Sequence, residues 1–268
     1  MRILFLGDVV GSSGCFKVTN TLQEQIKVNS IDFVIINGEN ADDTGVGLTK
    51  EICNNFFKSG VDVVTTGNHV WDQKDIMSFI DKEKRLLRPK NLIEPAPGKG
   101  FEIYKTNKNL KIGVLNLMGN VFMKKCEDVF KISEIFLSKY KLREDYDFLI
   151  VDFHGEITSE KNAIGHYFDG KATLVVGTHT HVPTNDARIL KNGTAYQTDA
   201  GMCGDYDSVI GMDKNNSLNR FMKKNAIKHF PANGEATLSG VIVECNIKTG
   251  LANKVDSYIF GGQLNKTL

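Results

Sequence analysis

Short apolar runs alternate with longer amphipathic stretches over the first two thirds of the chain. Residues 2–7, 32–37, 61–66, 148–152 and 174–176 are rich in Val, Ile, Leu and Phe, which predicts short strands buried on both faces. Between them apolar positions recur at helical spacing. Phe16, Val18, Leu22 and Ile26 mark a helix from Ser13 or Gly14 to about Val28; 49–59, 73–84, 129–141 and 159–168 read the same way. Residues 86–100, broken by Pro89, Pro95 and Pro97, read as irregular. Residues 101–105 and 111–117 flank a turn-like 107–109 and should pair antiparallel. After His181 come short strands at 187–190 and 194–198, a glycine-rich loop DAGMCGDYDS, a helix around 214–224, and final strands at 236–247 and 254–260.

Strands alternating with helices imply a mainly parallel sheet with helices on its outer face. The β-rich final third suggests a second sheet packed against the first. With no repeat, low-complexity segment or linker, residues 1–268 read as a single α/β domain, and 268 residues suffice for one large core. A formal net charge of +1 leaves no electrostatic footprint for duplex nucleic acid or an anionic membrane. No apolar run is long enough to span a bilayer, and Met1 leads straight into a strand rather than a signal-like segment. Cys15, Cys53, Cys126, Cys203 and Cys245 are scattered without CxxC spacing and read as reduced thiols; nothing requires Cys203, in the glycine-rich loop, to react. The expectation is a cytoplasmic protein with no membrane partner.

In such sheets functional groups gather beyond the carboxyl ends of the strands. Asp8, Glu39, Asn40, Asn68, His69, His154, His179 and His181 all lie at or just past a predicted strand end. In GTHTH the two histidines are spaced i, i+2, so an extended backbone would turn both imidazoles to one side, as a divalent metal requires. An oxygen and nitrogen donor set without cysteine suits manganese, iron, zinc or magnesium and disfavours Cu(I) or an iron–sulfur cluster. About seven donors exceed the needs of one tetrahedral ion and fit two ions sharing a carboxylate. Two metals about 3.5–4 Å apart can hold a nucleophile and neutralise a phosphate during in-line displacement.

Each residue also has a plainer reading. Asp8 could cap the next helix, although Ser12 or Ser13 would serve better. Glu39 could be a solvated loop acid, Asn40 and Asn68 could stabilise turns, and His154 could be a satisfied core histidine. His166, inside a helix, and His229, in a basic segment, read as structural or surface groups. Asp152, Glu156 and Asp199 could orient the histidines. Trp71 reads as packing rather than base stacking. Loops 41–48 and 199–208 are the candidates for touching substrate.

GDVVG, NGEN, GNHVWD, DFHGE and GTHTH, in this order, resemble the five motif blocks of the calcineurin-like metallophosphoesterases, and among them the YmdB-like bacterial 2′,3′-cyclic-nucleotide phosphodiesterases. TSEKNAIGHYFDG and GTAYQTDAGMCG extend the resemblance over nearly the whole chain. The usual Asp-x-His of the first block reads Asp8-Val9-Val10 here, and the bridging aspartate is replaced by Glu39 followed by Asn40, as in the YmdB-like branch. The resemblance implies a four-layer α/β/β/α sandwich, two packed mixed β-sheets flanked by helices. It implies that Asp8, Glu39, Asn40 and His181 hold one divalent ion and Glu39, Asn68, His154 and His179 a second, with Glu39 bridging. Iron or manganese comes ahead of zinc or magnesium. His69, whose side chain should diverge from that of Asn68, would protonate the leaving oxygen after attack by hydroxide held between the ions. The implied substrate is a small phosphodiester, a cyclic nucleotide foremost. The residues alone leave open a broad-specificity phosphomonoesterase, or a metal-dependent nucleotide- or RNA-binding regulator with little turnover. Apolar residues of the last third could serve a homo-oligomer or the core.

Overall fold

A computed structural model describes residues 1–225 and 227–264. The domain expected over 1–268 therefore includes five residues outside those described. In chain order the elements are β1 (Arg2–Leu6), β2 (Asp8–Val9), α1 (Gly11–Val28), β3 (Phe33–Asn37), α2 (Lys50–Lys58), β4 (Val63–Thr65), β5 (Phe101–Lys105), β6 (Lys111–Met118) and α3 (Val129–Lys139). There follow β7 (Phe148–His154), α4 (Thr158–Tyr167), β8 (Leu174–Thr178), β9 (Arg188–Ile189), β10 (Ala195–Gln197), β11 (Met202–Asp205), α5 (Lys214–Phe221), β12 (Ala236–Cys245) and β13 (Ala252–Phe260).

One sheet has the order β2–β11–β12–β1–β3–β4, with β13 also on β12; the other runs β5–β6–β7–β8–β10–β9. Both are mixed: β1–β3–β4 and β6–β7–β8–β10 are parallel, whereas β12 runs against β1 and β5 against β6. Side chains alternate across each strand and so divide into three apolar layers. Ile3 and Phe5 of β1 meet Phe148 and Ile150 of β7 between the sheets. Leu4 and Leu6 turn the other way, onto Val18 and Leu22 of α1 and Phe56 of α2. Leu149 and Val151 pack outward with Phe136 of α3 and Ile164 of α4. This is the α/β/β/α layering that the motifs imply.

The strands are shared out differently from the expected early and late sheets. The second sheet comes from the middle of the chain, and β12, β13 and β11 join the first. β1 pairs with β3 on one side only, and an open edge of that length needs a partner. The ten-residue β12, buried along nearly its whole length, supplies it. Residues 73–84 do not form an α-helix but a single 3₁₀ turn, Lys74–Ser78. Ile76, Phe79 and Ile80 are buried as the pattern requires, but Ser78 Oγ donates to the Asp75 carbonyl (2.8 Å) and competes with the helical ladder. The glycine-rich DAGMCGDYDS contains β11, which pairs with β2 and β12. α1 starts at Gly11 with no side-chain cap, so neither Asp8 nor the serines cap it; Ser12 Oγ donates to Asp43 instead. β7 runs two residues further than expected, making His154 its last residue. Among the described residues no helix is long and apolar enough to cross a membrane.

Gly7, between β1 and β2, lies against the 200–201 backbone so closely that a Cβ would stand 1.9 Å from the Gly201 carbonyl oxygen. Gly7→Ala should therefore push β11 away from Asp8 and cost about 3 kcal/mol or more, read as a lowered denaturation midpoint in urea. An unchanged midpoint would show that this approach is not tight.

Candidate metal centre

The carboxyl ends of β1, β3, β4, β7 and β8 meet at one edge between the two sheets. Asp8 follows β1, Glu39 and Asn40 follow β3, Asn68 and His69 follow β4, His154 ends β7, and His179 and His181 follow β8. Asp8, Glu39, Asn40, His154 and His181 are buried.

Partners outside the cluster set which nitrogen of each histidine faces inward. Thr178 Oγ1 gives its own proton to Asp152 Oδ1 (2.7 Å), so it accepts from His154 Nδ1 at 2.9 Å. His179 Nε2 stands 3.0 Å from Glu156 Oε2, which leaves Nδ1 toward the cluster. His181 Nδ1 donates to the Ile210 carbonyl at 2.8 Å. The other nitrogen of each ring faces inward and offers a lone pair when the ring is neutral, the arrangement by which outer partners orient metal-binding imidazoles.

These inward nitrogens face oxygen acceptors. Around His154 Nε2 stand Glu39 Oε1 at 2.8 Å, Asn68 Oδ1 at 3.0 Å and His179 Nδ1 at 3.1 Å. One nitrogen carries at most one hydrogen and cannot serve three acceptors, whereas a cation among them satisfies all four. The donor atoms of Glu39, His154 and His179 lie within 4.8 Å of one another. On the other side, His181 Nε2 faces Asn40 Oδ1 at 3.3 Å, and Asn40 Nδ2 is committed to the Gly45 carbonyl (2.8 Å). Asp8 Oδ1, 4.0 Å from the same nitrogen, is fully buried with no hydrogen-bond partner. A buried carboxylate oxygen without a donor is costly, and a divalent cation is the partner this group of atoms fits.

The charges favour the same occupant. Burial raises the pKa of Asp8, and raises that of Asp152 to about 7. Burial also opposes charge on Glu39 and His154, but their mutual attraction and hydrogen bond outweigh it, taking Glu39 down to about 2 and His154 up to about 9. Burial and then the neighbouring His154 charge push His179 down to about 3.

The extended geometry expected for GTHTH is not found. β8 ends at Thr178, and His179 (φ 97°) and His181 (φ 64°) both lie in the left-handed region. The two rings therefore part, His179 toward His154 and His181 toward Asn40. Asp199 holds this turn: its Oδ2 accepts from Thr180 N (3.2 Å), Thr180 Oγ1 (2.7 Å) and the buried Lys161 Nζ (2.6 Å). Of the three acids expected to orient histidines, Glu156 does so directly, Asp152 through Thr178, and Asp199 through Thr180. The side chains of Asn68 and His69 diverge. His69 donates its amide to Glu39 Oε2 (3.0 Å) while its ring pairs with Asp72, Nδ1 to Oδ2 at 2.6 Å. Lys124 Nζ caps the Asn68 carbonyl at 2.6 Å. Asp72, Lys161, Thr178 and Lys124 escaped the sequence reading. Asp72 alone left a local signal, the i+3 acid of GNHVWD. Loop 199–208 contains the strand β11 and is buried through Asp205 rather than forming an open rim.

The family model described as "YmdB-like protein" matches residues 4–258. The chain is 44% identical over 256 residues to the 2′,3′-cyclic-nucleotide 2′-phosphodiesterase of Bacillus subtilis, covering 96% of both chains. A crystal structure described as that of a novel phosphatase of Mycoplasma pneumoniae superposes with a TM-score of 0.89 at 36% identity, over 97% of this chain and 93% of that one. A hypothetical protein from Thermus thermophilus superposes equally well, TM-score 0.89 at 37% identity, over 97% and 99%.

His154 holds a proton to about pH 9 beside Glu39, and a metal ligand must be the neutral ring. Mn²⁺ uptake at pH 7.5 should thus release about one proton from this residue, and affinity should rise by up to about tenfold per pH unit from pH 6 to 8. Calorimetry in buffers of different ionisation enthalpy measures both. Uptake with no proton release and flat affinity would remove His154 from the ligand set.

Proposed function

Because this chain belongs to the YmdB-like family, we propose that it hydrolyses small phosphodiesters, 2′,3′-cyclic nucleotides foremost, at the centre where its strand ends meet. The observation that carries this reading is the convergence of the donor atoms of Glu39, His154 and His179 beside the unpartnered Asp8 oxygen, a set that one proton on His154 cannot satisfy. Asp8, Glu39, Asn40 and His181 would hold one divalent ion and Glu39, Asn68, His154 and His179 the other, with Glu39 common to both. Imidazole, carboxamide and carboxylate donors suit iron or manganese, with zinc or magnesium next. Bound there, two ions would activate water and neutralise the phosphate oxygens.

The chain's own residues supply the proton. Asp72 orients the His69 ring through Nδ1, leaving Nε2 to serve the departing ribose oxygen. The likeness to the Bacillus subtilis enzyme supports O2′ as that oxygen: water oxygen would bond to phosphorus, the P–O2′ bond would break, and a 3′-nucleotide would leave. Lys124, bonded to the Asn68 carbonyl and 3.4 Å from Asp72, steadies the turn that carries Asn68 and His69. A second reading, a broader phosphomonoesterase, draws on the likeness to the Mycoplasma pneumoniae phosphatase. Turnover of p-nitrophenyl phosphate exceeding that of bis-(p-nitrophenyl) phosphate would favour it.

His69→Ala should lower kcat by about 10²–10⁴-fold with metal content unchanged. Asp8→Asn or His181→Ala should instead deplete metal. Elemental analysis beside 2′,3′-cyclic AMP kinetics separates the two classes; loss of metal from His69→Ala would refute the division of roles. A fully active wild type holding one ion per chain would refute the two-ion centre.

A further inference from the structure

Beside the donor cluster lies a largely apolar cavity of about 480 Å³, a size typical of small-ligand sites. Trp71 and Met77 line it from the segment after GNH, Leu92, Ile93 and Pro97 from the proline-rich stretch, and Met118 from the end of β6. The charged residues that line it are Lys124 and Lys125, both cationic. Gly67 and Asn68 form the wall toward the metal donors. That wall is one glycine thick: a Cβ on Gly67 would lie 2.3 Å from the His154 ring and 2.4 Å from Glu39 Oε2.

We propose that this cavity is the nucleobase subsite: a nucleotide whose phosphate sits at the donor cluster lays its base against Trp71, across the Gly67 wall. The assignment rests on the phosphodiesterase reading and names the part of the substrate that the donor cluster does not hold. An aromatic slot adjoining a phosphate site matches the two halves of a nucleotide, and the lysines suit an anion and disfavour a cationic ligand. Stacking is tolerant of base identity, and Asn68 is the only uncharged polar side chain in the lining, so all four bases should be accepted. Trp71 thus has a use beyond packing, and residues within 67–77, 92–97 and 118–125 face the base.

Trp71 is the sole tryptophan, so its fluorescence reports on the cavity directly. In metal-loaded protein, 3′-AMP should quench that emission saturably and ribose 3-phosphate, which lacks a base, should not. Trp71→Ala should raise KM for 2′,3′-cyclic AMP about tenfold with kcat within about twofold, and Trp71→Phe should recover most of the loss. Ile93→Glu, at a half-exposed position of the same wall, should raise KM similarly without disturbing the core. Ribose 2,3-cyclic phosphate should be turned over equally by all four proteins. Equal losses on both esters, or emission indifferent to 3′-AMP, would overturn the subsite. Intact quenching with neither ester hydrolysed would instead overturn the hydrolase reading and leave the subsite standing.

Discussion

The two sheets are joined beneath the donor cluster by one buried carboxylate. Asp152 of β7 accepts from Asn37 Nδ2 of β3 (3.0 Å) and Thr65 Oγ1 of β4 (2.5 Å), both in the opposite sheet, and from Thr178 of β8 in its own. The surrounding layer is Ile3, Phe5, Ile35, Phe148 and Ile150, and apolar contact of that kind would tolerate a slip of one sheet over the other. Hydrogen bonds to a buried carboxyl group do not, because each stretched bond strands a desolvated polar atom. The clasp thus sets which strand ends face each other. Through Thr178 it also decides which nitrogen of His154 is protonated, so one carboxylate links sheet register to the direction of a lone pair.

The same economy of partners governs the histidine turn. Two non-glycine residues at positive φ cost on the order of 1–3 kcal/mol each and persist only where their surroundings over-determine them. Here the Lys161–Asp199 pair does so. Both side chains are almost wholly buried, and an isolated charge at that depth would not be tolerated. Asp199 also accepts from Gly201 N, where the chain enters β11, which pairs with β2 beside Asp8. The strained turn and the strand that carries Asp8 are therefore anchored to one carboxylate, which is why separate stretches of chain arrive at the same point.

Much of this was legible in the sequence because it is local. An apolar run that stops at a polar residue marks a strand end, and Asp8, Glu39, Asn68, His154 and His179 could be placed by that rule alone. What was not legible depends on contacts between distant residues. Nothing near β1 announces that β12 will cover its free edge, and glycines at 201 and 204 disguise β11 as a loop. The apolar spacing of 73–84 is genuine, yet a side-chain bond from Ser78 ends the helix after one turn. Positive φ at His179 and His181 has no signature in GTHTH; it follows from Asp199, twenty residues later. Trp71 read as packing because its slot is closed by the proline-rich segment and by residues after β6, neither adjacent to it in sequence.

The turn after β4 brings the two halves of the site together within four residues. Asn68 faces the donor cluster, Trp71 lines the adjoining slot, and His69 lies between them in the chain with its ring held by Asp72. If phosphorus is held at the cluster and the base at Trp71, the ribose spans the interval that His69 serves. In a 2′,3′-cyclic nucleotide O2′ is carried on the carbon next to the one bearing the base, and O3′ one carbon further away. On the roles proposed, a proton that His69 delivered on the base side of phosphorus would reach O2′ first. Under that proposal, opening toward a 3′-nucleotide would follow from the order of residues along one turn, without requiring the metal donors to distinguish the two ester oxygens.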